Sequence, residues 1–109
     1  MNKIKVLFKK PGKPCEVIEI ENTLEKFQEL VGGLIEVISF DDLLLICNEE
    51  GKLLNLEPNL LFEFDYIAGN CLLVGDDFDN ATFKGLTDYE IDEYSRILNR
   101  HNLLNKGEF

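Results

Sequence analysis

Positive charge is scarce in this chain: 11 lysines and arginines stand against 21 aspartates and glutamates, a formal balance of −10. A general nucleic-acid binder shows a basic excess, so that class is excluded unless cations gather locally, and duplex phosphates are repelled. Long apolar runs are missing too, and nothing approaches the ~20 residues that cross a bilayer. The basic start, MNKIKVLFKKPGKP, lacks the continuous apolar core and small-residue cleavage site of a secretory signal. Cys15, Cys47 and Cys71 are odd in number and far apart, with no C-x-x-C pair. That pattern excludes a disulfide framework or zinc knuckle and fits reduced thiols in the cytosol. There is no P-loop, no G-x-G-x-x-G, no G-x-S-x-G and only one histidine, His101.

What is present is enough for one core. Apolar residues make up 45% of the 109, with eight Phe and three Tyr, so residues 1–109 are read as a single domain. Charge is uneven: Lys3, Lys5, Lys9, Lys10 and Lys13 precede the first acid, leaving six cations against 21 acids. The acidic remainder has two readings, simple solubility or imitation of nucleic acid toward a basic groove. Charge alone favours the first.

Ile4, Val6 and Phe8 recur at every second position among the lysines Lys3, Lys5 and Lys9, which predicts a strand with one buried face. Pro11-Gly12-Lys13-Pro14 is a turn, and CEVIEI returns as the second strand. Asn22 is the expected N-cap of a helix over about 23–31, with Glu25 three places on and Gly32-Gly33 ending it. LIEVISF and LLLICN read as strands joined at Asp41-Asp42. A further hairpin is expected at Asn48–Lys52, with Gly51 supplying a positive φ and LLNL returning; Glu57-Pro58-Asn59 then breaks the strand. LLFEF is ambiguous. YIAGNCLLVG reads as one strand with Gly69 at a bulge, followed by an acidic loop over Asp76–Asn80. Thr87 to Glu90 form a capping box for a helix over about 88–104, whose inner face carries Ile91, Tyr94, Leu98 and His101; NKGEF is read as a frayed tail. The fold class is α+β, a mostly antiparallel β-sheet with two helices.

Chemistry is thin. A Cys–His nucleophile would need His101 beside a buried thiol in an electropositive setting, and a satisfied boundary histidine is the better reading. The Asp77 loop fails the calcium template where Ala81 and Thr82 replace a ligand and the turn glycine, so no metal or cofactor is expected. Glu49-Glu50 and Asp41-Asp42 show no sign of a raised carboxyl pKa. Arg96 and Arg100, four apart on the last helix beside Asn99, can grip a small phosphate-bearing ligand; the plainer alternative is intrahelical pairing with Asp92 and Glu93. Phe83 and Tyr94 are candidates to stack a base.

The segments KPGKPCEVIEIENTLEKFQELVGGLIEVI, ICNEEGKLLNLEPN and DYIAGNCLLVG, in that order, resemble a family of small phage and mobile-element proteins known as a domain of unknown function, marked by a CNEEGKL-type hairpin. The closing LTDYEIDEY helix is also similar. Where relatives have Gly-Leu-Pro after the turn, this chain has Asn55-Leu56-Glu57 with Pro58 one place on. The arginine common after the following Asn is Leu61 here, so a phosphate contact through it has no residue to make it.

The resemblance implies no catalytic activity, a place in the host cytoplasm, and an association with counter-defence. The expectation is a sponge: a cyclic nucleotide or cyclic ADP-ribose-type immune signal is sequestered without chemistry, through Arg96, Arg100, Asn99, Asn48, Glu49 and Phe83, in a homo-oligomer. The alternative is an acidic anti-CRISPR-type inhibitor of a defence nuclease, using Asp76, Asp77, Asp79 and the carboxylates over 90–93. A second alternative is a non-catalytic accessory protein with no small ligand.

Overall fold

The structure, a computed structural model, describes residues 3–62 and 65–101. Lys3–Lys9 forms β1, which turns at Pro11-Gly12 into β2, Glu16–Glu21. Lys13 N–H donates to Lys10 C=O at 3.1 Å and Gly12 sits at φ 75°, the geometry of a turn with proline first and glycine second. Helix α1 covers Leu24–Val31. Strands β3, Ile35–Phe40, and β4, Leu43–Asn48, pair across Asp41-Asp42, where Asp41 takes φ 55°. A ribbon of β5, Pro58–Leu61, and β6, Tyr66–Ala68, follows. Then come β7, Cys71–Asp77, β8, Thr82–Lys84, and helix α2, Asp88–Arg100.

The main sheet is antiparallel, in the order β2-β1-β7-β4-β3, with β8 against the end of β7. One face packs on α1 through Phe27 and Val31, which meet Ile4, Val6, Phe8, Ile46 and Leu72. The other face carries Leu7, Leu45, Cys71 and Leu73, and packs under Leu98 of α2 and Leu60 and Ile67 of the ribbon. The class is therefore α+β as expected. Because both sheet faces are covered, β1 departs from simple alternation: Lys3 and Lys5 are exposed, but Leu7 and Lys9 are buried on the same side. Among the described residues no helix is long and apolar enough to cross a membrane.

Several local expectations change. The N-cap of α1 is Thr23, whose hydroxyl accepts from Lys26 N–H at 3.2 Å; Asn22 instead donates to Phe83 C=O at 2.9 Å and ties the helix start to β8. Pro58-Asn59 does not break a strand but opens β5, Pro58 occupying the first position, where its missing N–H does least harm. YIAGNCLLVG is two strands in two sheets, with Gly69 at φ 87° making the corner between them. The α2 capping box is present, Thr87 and Glu90 each accepting from the other's backbone at 3.1 and 2.8 Å. The expected helix residues after His101, the NKGEF tail, and Glu63 and Phe64 of LLFEF lie outside the described residues.

Candidate functional site

The segment CNEEGKLLNL leaves β4 and does not return as a strand. Residues 49–55 coil as helical turns, with Leu54 N–H donating to Glu50 C=O at 2.9 Å. Leu56 N–H reaches Gly51 C=O at 2.9 Å and Asn55 N–H reaches Lys52 C=O at 3.1 Å. With Asn55 at φ 57°, this is a Schellman closure with asparagine in the left-handed position. Gly51 is not needed for a positive φ. A Cβ there would lie 2.6 Å from Ala68 C=O, so glycine lets the turn press against β6.

Asn48 anchors the turn from inside. Its side chain is buried, donates to Val31 C=O at 3.1 Å, and accepts from Glu50 N–H at 2.7 Å. It thereby joins the end of α1, the end of β4 and the turn. Glu49 is exposed.

Beside this turn, between β3–β4 and the β5–β6 ribbon, lies a cleft in two adjoining parts. The part nearest the turn holds about 210 Å³, and its charged lining residues are Glu36, Glu49, Glu50 and Asp65 with Lys52. Lys52 pairs with Asp65 and stands 4.7 Å from the Tyr66 ring centroid. That pairing raises the Lys52 pKa and holds the Asp65 carboxyl below its usual range. The other part, about 180 Å³, is apolar and lined by Ile38, Phe40, Leu45, Phe62 and Ile67. Ile38, Asp65 and Ile67 border both parts.

The residues expected to hold a nucleotide are not gathered in one place. Arg96 and Arg100 are exposed on α2, and Arg96 pairs with Asp92 at 3.0 Å. Asn99 accepts from Cys15 N–H at 2.8 Å, which pins the start of β2 to α2. Phe83 lies on the opposite face of the sheet, edge-on to Phe27 with ring centroids 5.2 Å apart; that packing occupies the ring. Asn48 and Glu49 border the cleft, away from the other four. A third depression of about 340 Å³, at the end of α1, is bordered by Glu29, Glu57 and Asn70. Neither arginine lines any of these three cavities.

The acidic residues do converge. Leu43 faces Gly75 in the β4–β7 register, so the Asp41-Asp42 turn lies at the same end of the sheet as Asp76 and Asp77. Asp77 also accepts from the Asn80 amide at 3.0 Å, next to Asp79. Tyr94 of α2 donates to Asp41 at 3.0 Å, bringing the helix half that carries Glu90 and Glu93 to the same end. Burial first, then Asp41, pushes the Tyr94 hydroxyl up to about 12.

The thiols are set against reactivity. Burial pushes Cys15 and Cys47 up to about 11 and Cys71 higher still, so at neutral pH they are protonated and weak nucleophiles. His101 Nδ1 is 2.8 Å from Leu61 C=O and its ring lies against Phe62, the satisfied boundary histidine expected. Among the described residues no group of three or more His, Cys, Asp or Glu side chains is placed to hold a metal ion.

Glu36, Lys52, Asp65 and Tyr66 are cleft residues that sequence reasoning missed. A signal for Glu36 was present: it shares the inward row of β3 with Ile38 and Phe40, where a carboxylate has no core role. For Asp65 and Tyr66 only the fold of the ribbon supplies the information.

The family model described as a domain of unknown function, DUF3846, matches residues 4–99. No curated protein and no solved structure matches the chain at a significant level.

Proposed function

The chain belongs to the DUF3846 family, and we propose that it is a non-catalytic binding protein of a phage or mobile element. In this reading it acts in the host cytoplasm against a defence nuclease, such as a CRISPR effector, by presenting its acidic end to the enzyme's basic nucleic-acid groove. The observation that carries the reading is the convergence of Asp41, Asp42, Asp76, Asp77 and Asp79 on one end, extended by Glu90 and Glu93 of α2. These carboxylates share one end of the sheet, where Lys84 of β8, paired with Gly75, is a neighbouring cation, and they make a predominantly negative field. Such a field speeds encounter with a basic surface and weakens as salt is raised. The counter-defence setting rests on the resemblance carried by the CNEEGKL segment and its neighbours.

Sequestration of a nucleotide-derived signal is the second reading, favoured by the exposure of Arg96 and Arg100 on one helix. Cavities that hold a drug-sized ligand run to ~300–1,000 Å³; each part of the cleft is smaller, one lined largely by acidic residues and the other apolar, and the third depression, about 340 Å³, is bordered by Glu29 and Glu57 and by no lysine or arginine. A phosphate ligand would therefore need a site built between two copies of the chain.

Competition separates these readings. The chain should displace duplex DNA from a guide-loaded CRISPR effector, with affinity falling at least about tenfold between low and high salt. A flat response across a panel of such nucleases, with a clear thermal shift on adding cyclic dinucleotides, would replace this reading with the second.

A further inference from the structure

The two outer strands of the main sheet are unlike. β2 carries Glu16, Glu19 and Glu21 along its length, the charged kind of edge that discourages pairing with another chain. β3 reads IEVISF, with Glu36 its only charge, and Val37 is exposed. Its inward row, Glu36, Ile38 and Phe40, borders the cleft beside the ribbon from end to end. Glu36 lines the acidic part, Phe40 the apolar part, and Ile38 both. An unguarded strand edge and two side-chain cavities of opposite character thus lie along one line.

We propose that the β3 edge and this cleft receive an extended segment of a partner protein, bearing an apolar residue and, two positions on, a lysine or arginine. The backbone of the segment adds a strand to β3, the mode in which main-chain hydrogen bonds give affinity and alternate side chains give specificity. Residues two apart on a strand share a face at ~6.6–6.8 Å, the same spacing as Glu36 to Ile38 on β3. A strand running antiparallel to β3 meets Phe40 first and Glu36 second, so the apolar residue precedes the basic one. The apolar side chain enters among Ile38, Phe40, Leu45 and Phe62, which present few polar atoms. The basic side chain meets Glu36, Glu49, Glu50 and Asp65, whose charge only Lys52 offsets among the lining residues. Lys52 is tied to Asp65 at the rim and can swing out when a second cation arrives, since both groups are exposed. Leu53, 82% exposed at the same rim, supplies further apolar contact.

Charge chooses this occupant over a second copy of the chain. A copy would bring its own Glu36 and a net charge of −10 to the same place. The site adjoins the acidic end at Phe40 but shares none of its carboxylates, so the inference stands or falls independently of the proposed function.

The test is fluorescence polarisation of the full chain with short labelled peptides of strand-forming residues holding leucine and arginine two places apart, leucine first. Saturable binding is expected, weakened at least about tenfold by arginine-to-glutamate in the peptide or by Glu36→Gln with Glu50→Gln in the protein. Methylating alternate backbone nitrogens of the peptide should abolish binding in one of the two phases, because only one set faces β3. Asp76→Asn with Asp77→Asn should leave it unchanged. No saturable binding, indifference to methylation in both phases, or equal loss with the Asp76 and Asp77 variant would each overturn the proposal; melting curves of the variants verify that they fold.

Discussion

Lys9 is fully buried, and its ammonium donates to Asn59 Oδ1 at 2.9 Å and to Lys10 C=O at 3.0 Å. Asn59 answers by donating to Lys9 C=O and Gly69 C=O, each at 2.8 Å. The pair clamps β1 to the ribbon across the corner at Gly69. Burial lowers the Lys9 pKa, partly opposed by the neighbouring thiols of Cys15 and Cys71. Removing Asn59 leaves the buried cation with Lys10 C=O as its remaining partner and takes a donor from two backbone carbonyls, so Asn59→Ala should cost about 3 kcal/mol. Lys9→Met removes the buried charge as well and should cost less. Urea unfolding of both variants checks this, and the reverse order would contradict it.

The same group sets a pH dependence. With the folded pKa of Lys9 below its ordinary 10.5, the unfolded chain binds more protons between the two values, and stability rises with pH there. The penalty is full below the folded pKa. The stability of Lys9→Met relative to the parent should therefore fall as pH rises from neutral toward 10.5.

The thiols act in the opposite sense. Cys15 and Cys47 titrate near 11 in the fold against an ordinary 9.0, so their contribution is present below 9.0 and is lost as pH rises through about 11. Each Cys→Ala variant should flatten the fall in stability over that range. At mildly alkaline pH, Cys47 and Cys71 should react with a disulfide reagent far more slowly than in urea.

Gly51→Ala should destabilise the chain by about 1–3 kcal/mol through overpacking against Ala68 C=O. Proton chemical shifts of Ala68 and its neighbours in β6 would report the displacement. A neutral substitution would mean that the turn does not press on the ribbon.

Ala81 sits at φ 53° after the single turn Phe78–Asn80, exposed to solvent. A left-handed alanine costs roughly 1 kcal/mol that glycine does not. Ala81→Gly should raise the melting temperature by a few degrees, whereas Gly32→Ala, at φ 80° and with no atom near its missing Cβ, should lower it for the same reason.

How legible this was depended on how local the cause is. The Pro11-Gly12 turn and the Thr87–Glu90 cap are set by residues a few places apart, and both could be read before any fold was known. CNEEGKLLNL misled because glycine in a polar turn has two uses, and only the approach of Ala68 tells close packing from a positive φ. YIAGNCLLVG misled because a continuous apolar run does not say that its halves join different sheets. The site was the least legible part. Arg96, Asn99 and Arg100 are neighbours in sequence, yet Phe83 lies across the sheet and Asn48 is spent holding Val31 and Glu50. Glu36 and Asp65 meet only because the ribbon folds over β3.

The acidic end is the proposed binding surface. Its most direct test is phage plating on bacteria carrying single defence systems, with the chain expressed alongside. The parent chain should restore plating against a nuclease-based system, and Asp41→Asn, Asp42→Asn, Asp76→Asn, Asp77→Asn and Asp79→Asn combined should cut that rescue at least about tenfold. Arg96→Ala with Arg100→Ala should leave it intact. Rescue that survives loss of the aspartates but fails without the arginines would contradict the claim.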